Sequence, residues 1–245
     1  MKTPARKRFN AIIITALILF SGAFFSLPKA EAAPLNLWLG LPDIFSSYST
    51  TTYDKDSHVF TSSGMASNLT MDGIGQPYIT NSDGSDFMWP DSFRINASID
   101  NNGVAHGGQL QITGYVVQQG FNTDTGETVN QPLTSGTLLT GNLIKFGWLE
   151  MDNAYAMFEF VFQVTGGDLM PYYNGKPAGV ILSLGDFGDY ASNPLFASSF
   201  AMDSGTMVSD TAPVVPIPGA VWLLGSGLTS LAGLKKRLNR RCAYA

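Results

Sequence analysis

The chain has 245 residues, a hydrophobic content of 44% and a formal net charge of −5. A chain of this size is large enough for a domain with a real apolar core. Its single cysteine, Cys242, lies close to the C-terminus. The chain before this cysteine therefore has no disulfide, no catalytic cysteine and no cysteine-bound zinc. The stability of a domain there must come from apolar burial.

The first 32 residues predict a secretory signal peptide. A basic start, Lys2–Arg8, precedes an apolar stretch, Ala11–Leu27. Pro28 ends that stretch, and Ala30-Glu31-Ala32 fits the small-x-small pattern of a cleavage site. We expect the export machinery to translocate the chain and signal peptidase to cut after Ala32. An uncleaved N-terminal anchor helix is the alternative.

Residues 33–212 form the predicted extracellular domain. This body contains four of the chain's 14 cations and 18 of its 19 carboxylates, so its formal net charge is −14. The remaining cations lie in the two terminal segments. Such an acidic body argues against nucleic acid and anionic lipid as partners, whereas it permits cations such as Ca²⁺.

Short strand-like segments separated by polar turns predict an all-β body. The expected architecture is an antiparallel β-sandwich of jelly-roll or Ig-like type, and a partly closed barrel is the alternative. At the start of the body, Leu35–Leu41 predicts a first strand and Asp43–Asp56 predicts an exposed loop or edge. A hairpin turn is expected at Ser63-Gly64. Phe121–Ser135 is polar and predicts a second loop.

The clearest strand patterns lie in the second half of the body. Phe93–Ile99 alternates apolar and polar residues, which predicts a half-buried strand, and Asp100–Gly103 predicts the turn after it. In Ala154–Val164, three phenylalanines share one face and predict a core strand, with a ligand platform as the alternative. Glu159 is expected on the opposite face of that strand. Ala178–Leu184 predicts a short apolar strand.

One polar connection is the candidate metal site. Asp83, Asp86 and Asp91 lie close together there, and carboxylates and carbonyls in a loop are the ligands that Ca²⁺ takes. The segment does not match an EF-hand loop, because Ile79 stands at the first ligand position and Pro90 at the twelfth. Turns stabilised by Asx side chains are the alternative, and no other cofactor is expected.

The sequence contains no familiar catalytic motif. There is no Gly-x-Ser-x-Gly elbow, and the two histidines, His58 and His106, are far apart. We therefore expect a protein without catalytic activity.

Two alternatives with chemistry remain open. One is a carbohydrate-binding β-sandwich in which exposed aromatic side chains stack on sugar. The aromatic candidates are Trp89, Trp148, Tyr172 and Tyr173. The other is a glycoside hydrolase, which needs only two carboxylates at the right separation. The candidates for that pair are the aspartates together with Glu127, Glu150 and Glu159.

The C-terminal segment, residues 213–245, has three parts in a fixed order: a proline-rich approach, an uncharged apolar run, Ala220–Leu234, and a basic end. The apolar run has 15 residues, whereas a spanning helix needs about 20. The prolines oppose a longer helix. We expect a single hydrophobic helix that inserts transiently into the inner membrane, with the cations of the basic end on the cytoplasmic side.

This segment resembles the PEP-CTERM sorting signal, in the variant written VPxPxAxWLLGSGLxxLxGxxRR. Ile217 stands where the type signal has a glutamate. The sorting-motif residues are Val215, Pro216, Ile217, Pro218, Ala220, Trp222, Leu223, Leu224, Gly225, Ser226 and Gly227. The basic residues that stop the membrane segment are Lys235, Lys236, Arg237, Arg240 and Arg241.

The resemblance implies recognition by an exosortase, a membrane cysteine transpeptidase of Gram-negative bacteria. The tail would be removed, and the body would be released or attached at the cell surface. Proteins with this signal accompany exopolysaccharide and biofilm gene sets, so the implied partner at the destination is exopolysaccharide. A permanent C-terminal anchor is the alternative.

Overall fold

The structure is a computed structural model, and it describes residues 33–71, 77–80, 91–151, 155–184, 195–203 and 208–215. The predicted signal peptide and the sorting tail beyond Val215 lie outside these ranges. Within them, no helix has the length and apolar character that crossing a membrane requires.

The described chain is mostly antiparallel β-sheet, which confirms the all-β prediction. The strands are β1 (Asp43–Asp54), β2 (Val59–Thr70), β3 (Tyr78–Thr80), β4 (Phe93–Ile99), β5 (Ala105–Asn122), β6 (Glu127–Met151), β7 (Tyr155–Gly166), β8 (Ala178–Leu184), β9 (Phe200–Asp203) and β10 (Val208–Pro213). One helical turn, α1 (Met170–Tyr173), follows β7, and a 3-10 turn, Leu195–Ala197, precedes β9.

The long strands pair in the order β2-β4-β5-β6-β7-β8-β10-β1, and β1 also pairs with β2, so the sheet closes on itself. The short strand β3 joins β2 and β5, and β9 joins β1. Jelly-roll and Ig-like sandwiches are built from Greek-key connections. The described long strands instead form a meander, because each pairs with the next long strand along the chain.

The strands predicted in the second half of the body are confirmed. β4 and β8 have the predicted bounds, and β7 overlaps the predicted core strand. The turn at Asp100–Gly103 closes with the Gly103 N–H donating to the Asp100 carbonyl at 2.9 Å. Gly103 has φ 76°, a value that favours glycine.

The predicted phenylalanine face of β7 is the centre of the core. Phe158, Phe160 and Phe162 are fully buried. Phe60 of β2 packs against Phe158 with ring centroids 5.2 Å apart, so opposite walls of the closed sheet meet in one core. Each such buried ring contributes about 1.5–3 kcal/mol relative to exposure.

The structure differs from the prediction at the start of the body. Asp43–Asp54, expected as an exposed loop or edge, forms β1, which has strand partners on both sides. Its hydroxyls are satisfied across the sheet, as when Thr51 Oγ1 donates to Ser62 Oγ at 3.0 Å. The predicted first strand, Leu35–Leu41, makes only an isolated bridge at Leu39.

Two further predictions are wrong. Ser63-Gly64, expected as a hairpin turn, lies inside β2, where β1 and β4 pair on either side. The predicted polar loop at 121–135 continues β5 and β6 as a two-stranded ribbon. The turn of that ribbon is Asn122–Gly126, with Gly126 at φ 72°. Polar residues suit this ribbon because much of it faces solvent.

Candidate functional site

Glu159 lies between two core phenylalanines in β7 and is only 2% exposed. Burying a carboxylate is costly unless hydrogen bonds compensate it. The compensation comes from the N-terminal segment. The backbone N–H groups of Leu35 and Asn36 donate to Glu159 Oε2 at 2.5 and 2.9 Å, and that of Leu37 donates to Oε1 at 2.9 Å.

Residues Ala33–Gly40, here called the N-terminal strap, are shaped for this contact. Asn36 has φ 54°, in the left-handed region that asparagine tolerates. Successive N–H groups therefore converge on one point, as in an anion-binding nest. Hydrogen bonds to a charged group contribute about 1.5–3 kcal/mol each. The strap is thus held by a carboxylate more than 120 positions away in sequence.

Two strand glycines let the strap lie close to the sheet. Gly147 stands directly opposite Glu159 in the β6–β7 ladder. A Cβ atom at Gly147 would lie 2.5 Å from the carbonyl oxygen of Ala33. A Cβ atom at Gly179 of β8 would lie 2.6 Å from Leu39 Cδ2. Glycine inside a strand often marks the close approach of another backbone, and this was the signal in the sequence for a covering segment.

The second half of the strap pairs with the end of the domain. Pro213–Val215, here called the tail root, runs antiparallel to it. The Gly40 N–H donates to the Pro213 carbonyl at 2.9 Å, and Leu39 forms a β-bridge with Val214. The two ends of the described chain therefore hold each other.

The tail root is bonded on both sides. The Val215 N–H donates to the Trp38 carbonyl of the strap at 2.9 Å, and the Val214 N–H donates to the Pro177 carbonyl at 2.9 Å on the opposite side. Val215 is the first residue of the predicted sorting motif. The other sorting-motif residues and the basic residues up to Arg241 lie outside the described residues.

A row of amide side chains crosses the outer face of the sheet. Asn96, Gln109, Asn142 and Gln163 stand directly opposite one another in the successive ladders from β4 to β7. All four are exposed. Because neighbouring strands lie about 4.8 Å apart, the row spans about 14 Å.

A second cross-strand pair, Gln111 and Thr140, lies beside this row. This pair and three amides of the row, Asn96, Gln109 and Asn142, line a groove of about 450 Å³, here called the amide groove. The one charged group among the residues that line it is the Arg94 guanidinium, which pairs with Asp91 at 3.5 Å. An acidic domain thus presents a groove whose lining contains no carboxylate.

The residues of the predicted calcium site are only partly described. Asp83 and Asp86 lie outside the described residues, and the Asp91 carboxylate pairs with Arg94. In the described ranges, no group of three His, Cys, Asp or Glu side chains is placed to hold a metal ion.

The predicted sugar-stacking aromatic residues have different surroundings. Trp148 is half-buried, and its ring packs edge-on against Phe196 with centroids 5.4 Å apart. Tyr173 is 1% exposed and belongs to the core, whereas Tyr172 is 48% exposed. Trp89 lies outside the described residues.

Of the carboxylates considered for hydrolysis, Glu127 is exposed at the start of β6 and Glu159 is committed to the strap. The side chain of Glu150 lies outside the described residues. The structure instead brings Asp43 and Asp210 together at the β1–β10 ladder. Sequence reasoning included the aspartates among the candidates but singled out no pair.

The Asp43–Asp210 pair is electrostatically perturbed. Burial, and then the nearby Asp210 carboxylate, raise the pKa of Asp43 from its ordinary 3.8 to about 6. Burial also raises the pKa of Asp210. Asp43 Oδ1 is buried and has no hydrogen-bond partner among the described residues. A raised pKa suits a carboxyl group for proton exchange, but neither residue lines the amide groove.

The two histidines are separate turn residues. His58 has φ 57° in the turn before β2, and its carbonyl accepts from the Ile99 N–H at 2.9 Å. His106 Nε2 lies 3.2 Å from an Asp100 carboxylate oxygen, and its side chain is exposed. Neither arrangement resembles a base poised beside a nucleophile.

No known protein family matches the chain, and neither the curated proteins nor the solved structures compared with it include a match.

Proposed function

We propose that this chain is an exported, non-catalytic protein of the cell surface or extracellular matrix of a Gram-negative bacterium, sorted and processed by an exosortase. The signal peptide, residues 1–32, and the tail, residues 213–245, supply the sequence basis. The structural observation that supports the proposal is the pairing of the strap with the tail root. Both predicted membrane segments join the folded domain through these two paired pieces.

The body is also separable from both membrane segments. Every described strand lies between Asp43 and Pro213, and the core is built from those strands. Removing residues 1–32 and the tail beyond Val215 leaves the described strands, the core and the strap in place. A protein that is cut at both ends during export needs this property.

The test is to express the full chain in cells with and without a working exosortase and to measure the mass of the mature protein. We expect the tail to be lost only in cells with the enzyme, and the product to leave the inner membrane. A chain stopped after Val215 is the matched control, because stopping before Pro213 would remove part of β10. An intact tail in cells with active exosortase contradicts the proposal.

A second candidate function, glycan binding, is favoured by the amide groove. Amides both donate and accept hydrogen bonds, as sugar hydroxyls do. The row of about 14 Å is long enough for several sugar units. The one charge in the groove lining, the Arg94 guanidinium, is paired with Asp91, so the groove suits an uncharged polysaccharide better than an ionic ligand. The four amides project from paired strands, so binding requires no ordering of the backbone that carries them.

Affinity electrophoresis through gels that contain a neutral polysaccharide tests this second candidate. Retardation of the wild-type protein should be lost in the double variant Gln109→Ala, Asn142→Ala. The control is Gln131→Ala, which removes an exposed amide from the β5–β6 ribbon. Equal mobility of the wild type with and without polysaccharide, across neutral polymers, contradicts glycan binding.

A further inference from the structure

We propose that the N-terminal strap, locked by Glu159, sets the boundary of the chain that a processing enzyme can reach, so that cleavage falls on the tail side of Val215. The identity of the enzyme rests on the proposed function. The boundary itself is a property of the described domain. Glu159 is then a positioning residue for processing, although it lies on a distant strand.

The main-chain groups of the tail root already have partners within the domain. Enzymes and peptide-binding domains commonly hold an extended segment through its backbone N–H and C=O groups. In the tail root, the Pro213 carbonyl and the N–H groups of Val214 and Val215 are already bonded within the domain. Binding of this segment by an enzyme therefore requires local opening of the sheet first.

Two of the three residues that follow the tail root are prolines. Pro216 and Pro218 have no backbone N–H. Donors alternate along the tail root, because Val214 donates towards Pro177 and Val215 towards Trp38 of the strap, so position 216 is the next donor position on the Pro177 side. Pro216 cannot donate there, and on the strap side the Asn36 N–H is already bonded to Glu159, so these groups do not extend the pairing beyond the tail root. The main-chain groups that the described domain already uses therefore end at Val215.

The Glu159 carboxylate holds the strap in the position where it pairs with the tail root. The strap pairs with the tail root through residues 38–40 and is anchored through residues 35–37 on Glu159. These two parts are contiguous, so releasing the anchor also loosens the pairing. Gly147 and Gly179 provide the space in which the strap lies, and a side chain at either would push it away.

The covalent step is an ordinary acyl transfer. The bond between a carbonyl carbon and the following amide nitrogen breaks, and that nitrogen leaves with a proton as the new amino terminus of the tail. The acyl group retained by the body passes to water, giving a carboxylate, or to an acceptor amine, giving a new amide. The proposal locates that bond beyond Val215.

The experiment uses the full chain in cells that process it. The intact mass of the mature wild-type protein should show that Val215 is retained. Glu159→Gln should add products that end before Val215, whereas the matched control Glu127→Gln, at an exposed carboxylate, should give the wild-type mass. A wild-type product that lacks Val215 overturns the inference.

A second variant and a second measurement keep the inference testable if the Glu159 variant misfolds. Gly40→Pro removes the N–H that donates to Pro213 and leaves Glu159 untouched. In the purified proteins, amide hydrogen exchange at Val214 and Val215 should be at least tenfold faster in either variant than in the wild type. Unchanged exchange and unchanged cleavage together overturn the inference.

A wild-type chain that keeps its tail in these cells refutes the proposed function without deciding the boundary. A soluble protease of broad specificity, added to the purified full chain, then takes the enzyme's place. If the strap sets the boundary, the protease should make no early cut within the tail root of the wild type. It should cut there early in the Glu159→Gln and Gly40→Pro variants. Early cleavage there in the wild type refutes the boundary.

Discussion

Replacing Glu159 by glutamine tests how the strap is held. The substitution keeps the shape of the side chain but removes its charge and turns one acceptor oxygen into an amide donor. Oε2 accepts two N–H groups and Oε1 accepts one. Glutamine best places its oxygen at the position with two donors, so its NH₂ group faces the N–H of Leu37 and at least that bond is lost.

The expected cost follows from these contacts. Losing one charge-assisted hydrogen bond costs about 1.5–3 kcal/mol, and the two remaining bonds weaken because their acceptor is neutral. We therefore expect the free energy of unfolding to fall by about 2–4 kcal/mol. If the strap detaches instead, the loss is capped at the net free energy of docking it.

Urea denaturation of the domain, residues 33–215, measures this change, with Glu127→Gln as a control expected within about 0.5 kcal/mol of wild type. The decisive comparison repeats Glu159→Gln in a domain that lacks residues 33–37. There the carboxylate has no strap to hold, so the cost should nearly vanish. An equal cost in both backgrounds would refute the role assigned to Glu159.

Four other substitutions, one of them a control, test separate parts of the structure. Gly147→Ala should cost about 1–3 kcal/mol because its methyl group meets the strap, and urea unfolding should show no such cost once residues 33–37 are removed. The pKa of Asp43 in the folded protein, about 6, lies above its ordinary value, so ionisation of this carboxyl opposes folding. Asp43→Asn should therefore raise the free energy of unfolding at pH 7.5 by about 1 kcal/mol, a figure reduced to allow for the partial exposure of Asp43, and should leave it unchanged below pH 3.8. An effect that does not depend on pH would contradict this. Gly103→Ala should cost about 2–4 kcal/mol in the same assay, because φ is 76° and the new Cβ would lie 2.4 Å from Trp148 Nε1. Gly126→Ala, at φ 72° with open space around it, should cost only about 1 kcal/mol, and equal costs would show that the Trp148 contact is unimportant.

The local alternation of apolar and polar residues predicted those strands that have one face in the core and the other in solvent. β4 alternates buried and exposed residues without exception, and the Asp100–Gly103 turn carries its own signal in glycine and asparagine. The phenylalanine face of β7 was recognisable because three large rings at a period of two have few uses other than a core. The closed meander was not predictable in this way, because strand order depends on pairings between distant segments.

The candidate site was hidden for the same reason. Alternation correctly places Glu159 opposite the phenylalanine face, and that face is normally solvated. It is buried because a segment from the N-terminus covers it. The apolar pattern of that segment, Leu35–Leu41, predicted a first strand, and nothing in the pattern indicated that its backbone N–H groups would bind a carboxylate on β7. β1 was missed because its serines and threonines suggest a loop until their partners on β2 are known.

The contact between the strap and the tail root also makes the domain a candidate for circular permutation. Because Leu39 and Val214 are bridged, a linker from Val215 back to Ala33 has to span only the length of the first half of the strap, about 20 Å if extended. New ends opened in the Asn122–Gly126 turn would fall at an exposed tip, where chains tolerate a break. Such a molecule would keep every described strand pairing, but its native ends would be joined into one continuous segment. It would show whether the body can fold without free ends at the strap and the tail root.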